Sequence, residues 1–286
     1  MVRPLRTETD FKNKEFPFTD KDFGYIRDLV AERTGIVLSD IKRDMVYSRV
    51  VRRIRKLDVN NFTEYCALLK SGDEQEMVEF TNAITTNLTS FFREPHHFEY
   101  LTKTLLPELK AKKKDRKIRV WSAGCSSGEE PYSIAMTLRD FFPHSSDWDI
   151  KILATDLDTQ MVDRASKGVY KEERVTGIDK KHLKKWVRRG KGAMEGNVKI
   201  CNELRDMISF KQLNLMHDWP VKGPFDFMFC RNVVIYFNKE TQKELFDRYA
   251  NLLVPDAGLF IGHSESLHNV TDRFKSLGKT IYRKTK

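Results

Sequence analysis

The sequence predicts an α/β protein in which a doubly wound, mostly parallel sheet follows an all-α N-terminal domain and contains a small antiparallel β insertion. From about residue 115 onward, short apolar runs typical of buried strands alternate with helical patterns, as in parallel α/β sheets. Residues 1 to about 85 show helical periodicity without the period-two alternation of strands. A glycine-rich loop joins the first predicted strand to a helix, as in nucleotide-binding folds.

The predicted strands are short β-rich runs, at 118–123, 150–155, 208–213, 225–230 and 258–262. A basic, glycine-rich segment over residues 171–210 interrupts their alternation with helices, and we interpret it as the β insertion. We place the helical domain at residues 1–87 and the α/β domain at 88–286. In the helical domain, Thr19 is a predicted N-cap and Gly35 the end of the first helix.

The loop after the first strand, within VWSAGCSSGEEPYS, has the composition of a ligand cradle. We call residues 124–128 the glycine loop, because Gly124 and Gly128 lack a Cβ and let backbone amides approach a ligand closely. The following helix begins with Glu129 and Glu130, whereas a phosphate site favours positive groups there. The G-x-x-x-G spacing matches neither the dinucleotide nor the P-loop pattern. A ligand with a cation or amine is therefore favoured over a pyrophosphate.

An acidic residue, Asp156, ends the second predicted strand. A carboxylate at that position can accept hydrogen bonds from both hydroxyls of a ribose. S-adenosylmethionine fits both features, because it has a ribose and an adenine, no phosphate, a sulfonium cation and an amino-acid tail. The alternative interpretation is a tight turn before a helix with no ligand, and the presence of Asp156 makes that alternative less favourable.

The composition of the chain narrows the class of protein but leaves several kinds of partner open. The 286 residues suffice for one large domain and a smaller one. The N-terminus lacks the apolar core of a secretory leader, and no apolar run is long enough to cross a membrane. The four cysteines are scattered, as in reduced cytoplasmic proteins, and show no metal-ligand spacing. The net charge of +10 fits an acidic partner, whether nucleic acid, an anionic membrane surface or an acidic protein.

The helix predicted over residues 39–57 has its positive charges on one face, and we call it the basic helix. Arg49, Arg52, Arg53 and Lys56 are spaced so that they share this face, and apolar residues cover the opposite one. The charged face is either a solubilising surface or a docking surface for an acidic partner.

Polar residues follow several predicted strands at their carboxyl ends, where open parallel sheets bind ligands. Besides the glycine loop and Asp156, Asn214 follows the third predicted strand, and Arg231 and Asn232 follow the fourth. The polar stretch TTNLTSFFREP, at the junction of the two predicted domains, also suits a ligand-lining loop. The convergence of these segments on one edge of the sheet predicts the site.

Several blocks of sequence, in order, resemble those of the chemotaxis receptor methyltransferase (CheR) family. They are TTNLTSFFRE, WSAGCSSGEEPYS, ATDLD, FCRNVVIYF and GLFIGHSESL, and the similarity extends over nearly the whole chain. The resemblance implies the Rossmann-like fold of class I S-adenosylmethionine-dependent methyltransferases. It also implies methyl transfer from S-adenosylmethionine to glutamate side chains of chemoreceptor cytoplasmic helices. The products are glutamyl methyl esters and S-adenosylhomocysteine, and the process is sensory adaptation in bacterial chemotaxis.

The resemblance assigns roles to matching positions of this sequence. Arg93 and Tyr236 match the pair nearest to methyl transfer, and the basic helix matches one that docks acidic receptor helices. In some family members the β insertion binds a short peptide at the receptor's C-terminus, so this partner is open for residues 171–210. The implied cofactor-binding residues are Asn87, Thr89, Arg93, Glu130, Asp156, Asn214, Leu215, Arg231 and Asn232.

The chemistry of the implied reaction suits these residues. A glutamate carboxylate is already ionised at neutral pH, so the acceptor needs no strong general base. Its attack on a sulfonium methyl neutralises charge, and the protein contributes mainly positioning and the exclusion of water. We therefore expect Tyr236 to orient the acceptor and Arg93 to place the cofactor and balance charge.

Three other functions remain as alternatives. A nucleic-acid methyltransferase suits the charge, but Arg231-Asn232-Val233-Val234 stands where such enzymes commonly have [D/N]-P-P-[F/Y]. A non-catalytic scaffold would not need to keep its polar residues together, and a dehydrogenase would have G-x-G-x-x-G. We expect chemoreceptors as partners, no nucleic acid, no membrane insertion and no metal. We also expect a cytoplasmic protein recruited to receptor arrays at the membrane.

Overall fold

The computed structural model describes residues 14–143 and 147–285, and the chain divides into two compact units on either side of the Thr85–Thr86 bond. The N-terminal residues in which a secretory leader was not expected lie outside these ranges. The first unit is helical, which confirms the predicted all-α part. Its α-helices are α1 (Asp20–Thr34), α2 (Arg43–Leu57), α3 (Phe62–Lys70) and α4 (Glu74–Ile84).

Local sequence sets the ends of α1. The Thr19 hydroxyl accepts from the Asp22 N–H at 3.1 Å, and the Asp22 carboxylate accepts from the Thr19 N–H at 3.0 Å. The helix ends at Gly35, whose φ of +73° is the left-handed conformation that glycine adopts readily. Phe18, just before the cap, packs on Phe62 of α3 with ring centroids 4.3 Å apart. The cap and this contact fix where α1 enters the helical core.

Arg53 of the basic helix α2 is buried, contrary to the prediction that it lies on an exposed face. It is 8% exposed, because its guanidinium pairs with Glu76 at 2.5 Å and Glu79 at 2.9 Å, both on α4. The Tyr65 hydroxyl donates to the same Glu76 carboxylate at 2.5 Å. A charge in this position needs these partners to offset its lost hydration. Arg53 is therefore part of the helical core and does not belong to a docking face.

Arg49 is also engaged within the helical unit. Its guanidinium donates to the carbonyl of Ile84 and, at 2.6 Å, to that of Thr85, at the C-terminal end of α4. A cation there satisfies end carbonyls and complements the helix dipole. Of the predicted docking residues, Arg52 and Lys56 are the ones whose side chains are exposed.

The second unit is built on a seven-stranded sheet with the order β6-β2-β1-β7-β8-β10-β9. Strands β6, β2, β1, β7 and β8 pair in parallel, and an antiparallel hairpin completes one edge. The strands are β1 (Lys117–Ala123), β2 (Asp149–Asp156), β3 (Val169–Lys171), β4 (Val187–Arg189), β5 (Asn197–Ile200), β6 (Ile208–Gln212), β7 (Phe225–Cys230), β8 (Leu253–Ile261), β9 (Phe274–Gly278) and β10 (Ile281–Lys284). The doubly wound, mostly parallel sheet is confirmed.

Helices cover this sheet and connect its strands. They are α5 (Pro95–Tyr100), α6 (Leu106–Lys112), α7 (Glu129–Phe141), α8 (Thr159–Lys167), α9 (Lys180–Trp186), α10 (Asn202–Arg205) and α11 (Lys239–Leu252). Within the described ranges, no helix combines the length and apolarity needed to cross a bilayer.

The small antiparallel β insertion is also confirmed, with the strand order β3-β5-β4. Its strand β3 begins at Val169, slightly before the predicted start. Residues 208–210, which the sequence analysis includes in the insertion, belong to β6 of the main sheet. Their apolar side chains are common to both kinds of strand, so periodicity alone does not distinguish the two sheets.

The position of β1 determines where a site can form. This strand lies between β2 and β7, so the strand order reverses at β1. The chain continues from β1 to β2 and β6 on one side and later returns to β7 and β8 on the other. The loops after β1, β2, β6 and β7 all leave from the carboxyl edge, because these strands are parallel. That edge, at the switch in strand order, is the usual ligand site of such sheets.

Candidate active site

The glycine loop allows very close approach of neighbouring segments. A Cβ on Gly124 would lie 2.3 Å from Cγ2 of Val233, and one on Gly128 would lie 2.8 Å from the Ala165 Cβ. Both glycines have positive φ, +82° and +97°. The Gly124 N–H donates to the Thr155 carbonyl at 2.8 Å, which ties the loop to the end of β2. Larger residues would force the loop away from its neighbours.

Asp156 points its carboxylate at this loop. It accepts from the Ser126 N–H at 2.7 Å and from the Asp158 N–H at 2.9 Å. Burial raises the pKa of Asp156 to about 6, although these amide hydrogen bonds oppose the rise. The Asp156 carbonyl accepts from the Leu213 N–H at 2.9 Å, which brings the end of β6 alongside.

The segment TTNLTSFFRE is hydrogen-bonded to the glycine loop and to the loop after β2. The Ser126 hydroxyl donates to the Asn87 carbonyl at 2.9 Å, and the Asn87 amide donates to the Asp158 carboxylate at 2.7 Å. Arg93 donates from Nη1 to the Leu88 carbonyl at 2.9 Å, so the segment folds back on itself. Asn87 and Asp156, far apart in sequence, are thus connected through the glycine loop.

Arg231 is buried directly after β7 and contacts both the TTNLTSFFRE segment and the start of α7. Its Nη2 donates to the Arg93 carbonyl at 2.6 Å, and its Nη1 lies 3.3 Å from the Glu130 carboxylate. The Ser122 hydroxyl donates to the other oxygen of Glu130 at 2.7 Å. Burial raises the pKa of Glu130, while Arg231 and the Ser122 hydroxyl oppose the rise. The predicted residues Arg93, Glu130 and Arg231 therefore lie together.

The sequence analysis missed Glu265, whose buried carboxylate holds the loop after β7. The N–H groups that donate to it are those of Asn232 (2.9 Å), Val233 (2.9 Å), Val234 (2.9 Å), Ile235 (3.3 Å) and Gly262 (2.5 Å). Tyr236 follows in the same turn and is partly exposed. The glutamate of GHSES after an apolar strand was the available indication, since that position lies at the carboxyl edge of the sheet.

Glu94, also missed, connects Arg231 to the loop after β8. Its carboxylate lies 3.5 Å from Arg231 and accepts from Nδ1 of His263 at 2.9 Å.

Two histidines, His96 and His97, lie beside Glu94. Burial, followed by the charge of Arg231, lowers the pKa of His97 to about 3, so the His97 imidazole is neutral at physiological pH. Glu94, His96 and His97 have the spacing of a small cation site. The guanidinium of Arg231 already supplies a positive charge to the same carboxylate.

Other predicted residues lie at the same edge with different contacts. Asn214 follows β6 and accepts from the Met216 N–H at 3.0 Å through its side-chain oxygen. Leu215 is buried, and its carbonyl accepts from Arg248 at 2.9 Å. The Thr89 carbonyl accepts from Arg174, a residue of the insertion that the sequence analysis did not select, at 3.1 Å.

Non-glycine residues with left-handed backbone occur repeatedly around this edge, at Phe92 (φ +51°), Glu94 (φ +56°), Ser126 (φ +49°) and Asn232 (φ +59°). Such conformations persist where surrounding contacts enforce them, and they occur often at functional sites. The site combines a glycine loop, an acid at the end of β2 and buried carboxylates at the start of α7. Such features are typical of α/β enzymes that bind a nucleoside ligand with hydroxyls and a positive charge.

Comparison with known proteins identifies the family. Residues 87–283 match the model described as "CheR methyltransferase, SAM binding domain", and residues 21–85 match "CheR methyltransferase, all-alpha domain". The chemotaxis protein methyltransferase of Escherichia coli K12 is 44% identical, over 92% of this chain and 91% of its own. Chemotaxis protein methyltransferase 2 of Pseudomonas aeruginosa is 42% identical, over 95% and 96%.

The chain therefore belongs to the CheR methyltransferase family, as its sequence motifs predicted. It is a methyltransferase, and its cofactor is S-adenosylmethionine. The residues present suit this cofactor, because Asp156 and Glu130 are carboxylates beside the glycine loop and can accept hydrogen bonds from hydroxyls or an amine.

Proposed function

We propose that this enzyme methylates glutamate side chains on the cytoplasmic helices of chemoreceptors, forming glutamyl methyl esters in sensory adaptation. Family membership and the names of the relatives support this substrate. The observation that carries the proposal is the position of Arg231, whose guanidinium contacts both the Arg93 carbonyl and the Glu130 carboxylate. It connects a residue suited to bind an acidic acceptor with one suited to bind the cofactor.

Asp156 is proposed to accept the ribose hydroxyls, and Glu130 to bind the positively charged amine of the methionine part. Asn214 and Leu215 suit the adenine side, while Arg231 and Asn232 suit the methionine side. When bound, S-adenosylmethionine supplies an activated methyl group on a sulfonium. The segment from Asn87 to Arg93 is proposed to close over it, since this segment is already hydrogen-bonded to the glycine loop.

Arg93 and Tyr236 are proposed to position the acceptor carboxylate. One terminal nitrogen of Arg93 donates to the Leu88 carbonyl, which fixes the guanidinium and leaves further N–H donors for an anion. Tyr236 follows Val234 and Ile235, whose backbone amides donate to Glu265, so the backbone that carries Tyr236 has a defined position. Neither residue needs to remove a proton, because the acceptor is already ionised. Their contribution is orientation and the replacement of water.

The substrate is tested by incubating the enzyme with labelled S-adenosylmethionine and chemoreceptor-containing membranes, followed by mild alkali. Label on the receptor that is released as methanol is expected, because carboxyl esters hydrolyse readily. Arg93→Ala and Tyr236→Phe should each lower the rate about a hundredfold, as expected for lost positioning. Tyr25→Phe, in the helical unit, is the control. Alkali-stable label, label in nucleic acid, or full activity of both variants would contradict the proposal.

Arg52 and Lys56 are proposed to dock acidic receptor helices. Both are exposed on α2, whereas Arg49 and Arg53 are engaged by α4. Exposed cations attract an acidic surface mainly by speeding its association, and salt weakens the attraction. Binding of this kind would recruit the cytoplasmic enzyme to receptor arrays at the membrane.

The insertion contains a groove of about 590 Å³, which we propose binds a short peptide at the receptor's C-terminus. In the three-stranded sheet, whose order is β3-β5-β4, strand β4 lies at an edge, so its outer side can accept an added strand. The groove is lined by Glu172, Glu173, Val175, Thr176, Lys180, Leu183, Lys184, Val187, Arg189 and Val198.

One experiment separates these two contacts. Methylation rates are measured on intact receptor and on receptor without its C-terminal peptide, at low and high salt. The double variant Arg52→Glu/Lys56→Glu should raise the KM about tenfold on both receptors at low salt. Val187→Asp should raise the KM on intact receptor only. An unchanged KM in the double variant would remove the docking proposal, and an unchanged KM for Val187→Asp would remove the peptide proposal.

A further inference from the structure

The structure assigns to Arg174, a residue of the insertion, the role of a positioning residue for the cofactor site. Arg174 lies in a 3₁₀ turn, Glu172–Val175, that directly follows β3. Its Nη2 donates to the Thr89 carbonyl at 3.1 Å and also pairs with the Glu129 carboxylate. One guanidinium thereby joins the insertion to the TTNLTSFFRE segment and to the start of α7.

The ion pair between Arg174 and Glu129 is important for the fold of the site, because the Glu129 side chain is fully buried. The carboxylate accepts from the Ser127 hydroxyl at 2.6 Å through one oxygen and pairs with Arg174 through the other. A buried carboxylate without a cation would carry a large desolvation cost. Arg174 therefore determines where Glu129 lies, and Glu129 begins the helix on which Glu130 is proposed to bind the cofactor.

A second contact links the insertion to the glycine loop. Tyr170 of β3 donates from its hydroxyl to the Ser127 carbonyl at 2.7 Å, and a Cβ on Gly128 would lie 2.9 Å from that hydroxyl. Strand β3 and the turn after it thus form one wall of the glycine loop. Arg174 extends this wall to the carbonyl of Thr89.

This inference rests on the proposed cofactor site and adds that the insertion helps to shape it. With Arg174 removed, the Thr89 segment loses its attachment and Glu129 loses its cation. The affinity for the cofactor should fall about tenfold, the usual effect of losing one hydrogen bond to a charged group. The KM for S-adenosylmethionine should rise accordingly, with a smaller change in kcat.

The experiment is calorimetric titration of the full-length enzyme with S-adenosylhomocysteine. Arg174→Ala is expected to bind about tenfold more weakly than wild type. Arg174→Gln should lose part of the affinity, because it can still donate to Thr89 but carries no charge. Lys199→Ala, an exposed cation of the same insertion, should bind like wild type.

The double variant Arg174→Ala/Glu129→Gln separates positioning from folding. It removes the unpaired buried charge, so its thermal midpoint should recover toward wild type while its affinity for S-adenosylhomocysteine stays low. Affinity that recovers together with the midpoint, or wild-type affinity in Arg174→Gln and Arg174→Ala, would overturn the inference. Asp156→Ala tests the site itself. If Asp156→Ala binds normally the proposed cofactor site fails, and if it binds weakly while the Arg174 variants bind normally only this inference fails.

Discussion

Replacing Glu265 by glutamine is expected to reduce methyl transfer by about a hundredfold, because each hydrogen bond to a charged group stabilises by about 1.5–3 kcal/mol. The carboxylate accepts from a run of backbone amides in the loop that includes Asn232 and leads to Tyr236. Glutamine offers one acceptor oxygen and turns its own N–H₂ donors toward some of those amides. The loop should then leave its position, although the strands around it remain.

Initial rates with labelled S-adenosylmethionine measure this effect, and circular dichroism checks that the protein stays folded. Ser264→Ala alters an exposed neighbour of Glu265 and should retain the wild-type rate. A Glu265→Gln enzyme with normal turnover would show that the loop does not depend on the carboxylate.

The second large effect is expected in the helical unit, where Arg53→Ala should lower the free energy of unfolding by about 3–5 kcal/mol. The substitution leaves Glu76 buried next to Tyr65 without its cation. Arg55→Ala is the matched control, because Arg55 lies on the same helix and pairs with Glu15 in an exposed position. Exposed pairs contribute at most about 1 kcal/mol.

Hydrogen exchange resolved by peptide is the suitable measurement, because the two units need not unfold together. Faster exchange throughout α2 and α4 is expected for Arg53→Ala, with the sheet unaffected. Equal exchange in Arg53→Ala and Arg55→Ala would show that the buried pair contributes no more than a surface pair.

Patterns in the sequence predicted the sheet well for a physical reason. The central strands β1 and β7 are largely buried and rich in apolar residues, so their runs were recognisable without knowledge of their neighbours. The carboxyl ends of strands lie at one edge in any parallel arrangement, which is why Asp156 and Arg231 could be assigned to a common site. The β9–β10 hairpin, with mostly exposed side chains in β9, offered no comparable pattern.

Individual contacts were less predictable, because they depend on distant parts of the chain. The helical spacing of Arg49, Arg52, Arg53 and Lys56 correctly shows neighbouring positions on α2, but Arg53 is turned inward by carboxylates on α4. Similarly, Glu129 and Glu130 are equivalent as acids in the sequence. In the structure, Arg174 pairs with Glu129 and Arg231 pairs with Glu130. Arg174 lies in the insertion, whereas Arg231 follows β7.

The two buried acids that accept hydrogen bonds from backbone amides should also influence which nucleotides the enzyme binds. Turns with several inward-pointing N–H groups are natural anion sites, and related folds use them to bind phosphate. Here the Ser126 N–H is taken by Asp156, and the amides after Asn232 are taken by Glu265. Each such turn already contains an anion from the same chain. We therefore expect ATP and NAD to bind weakly, because their phosphates would compete with these carboxylates for the same amides.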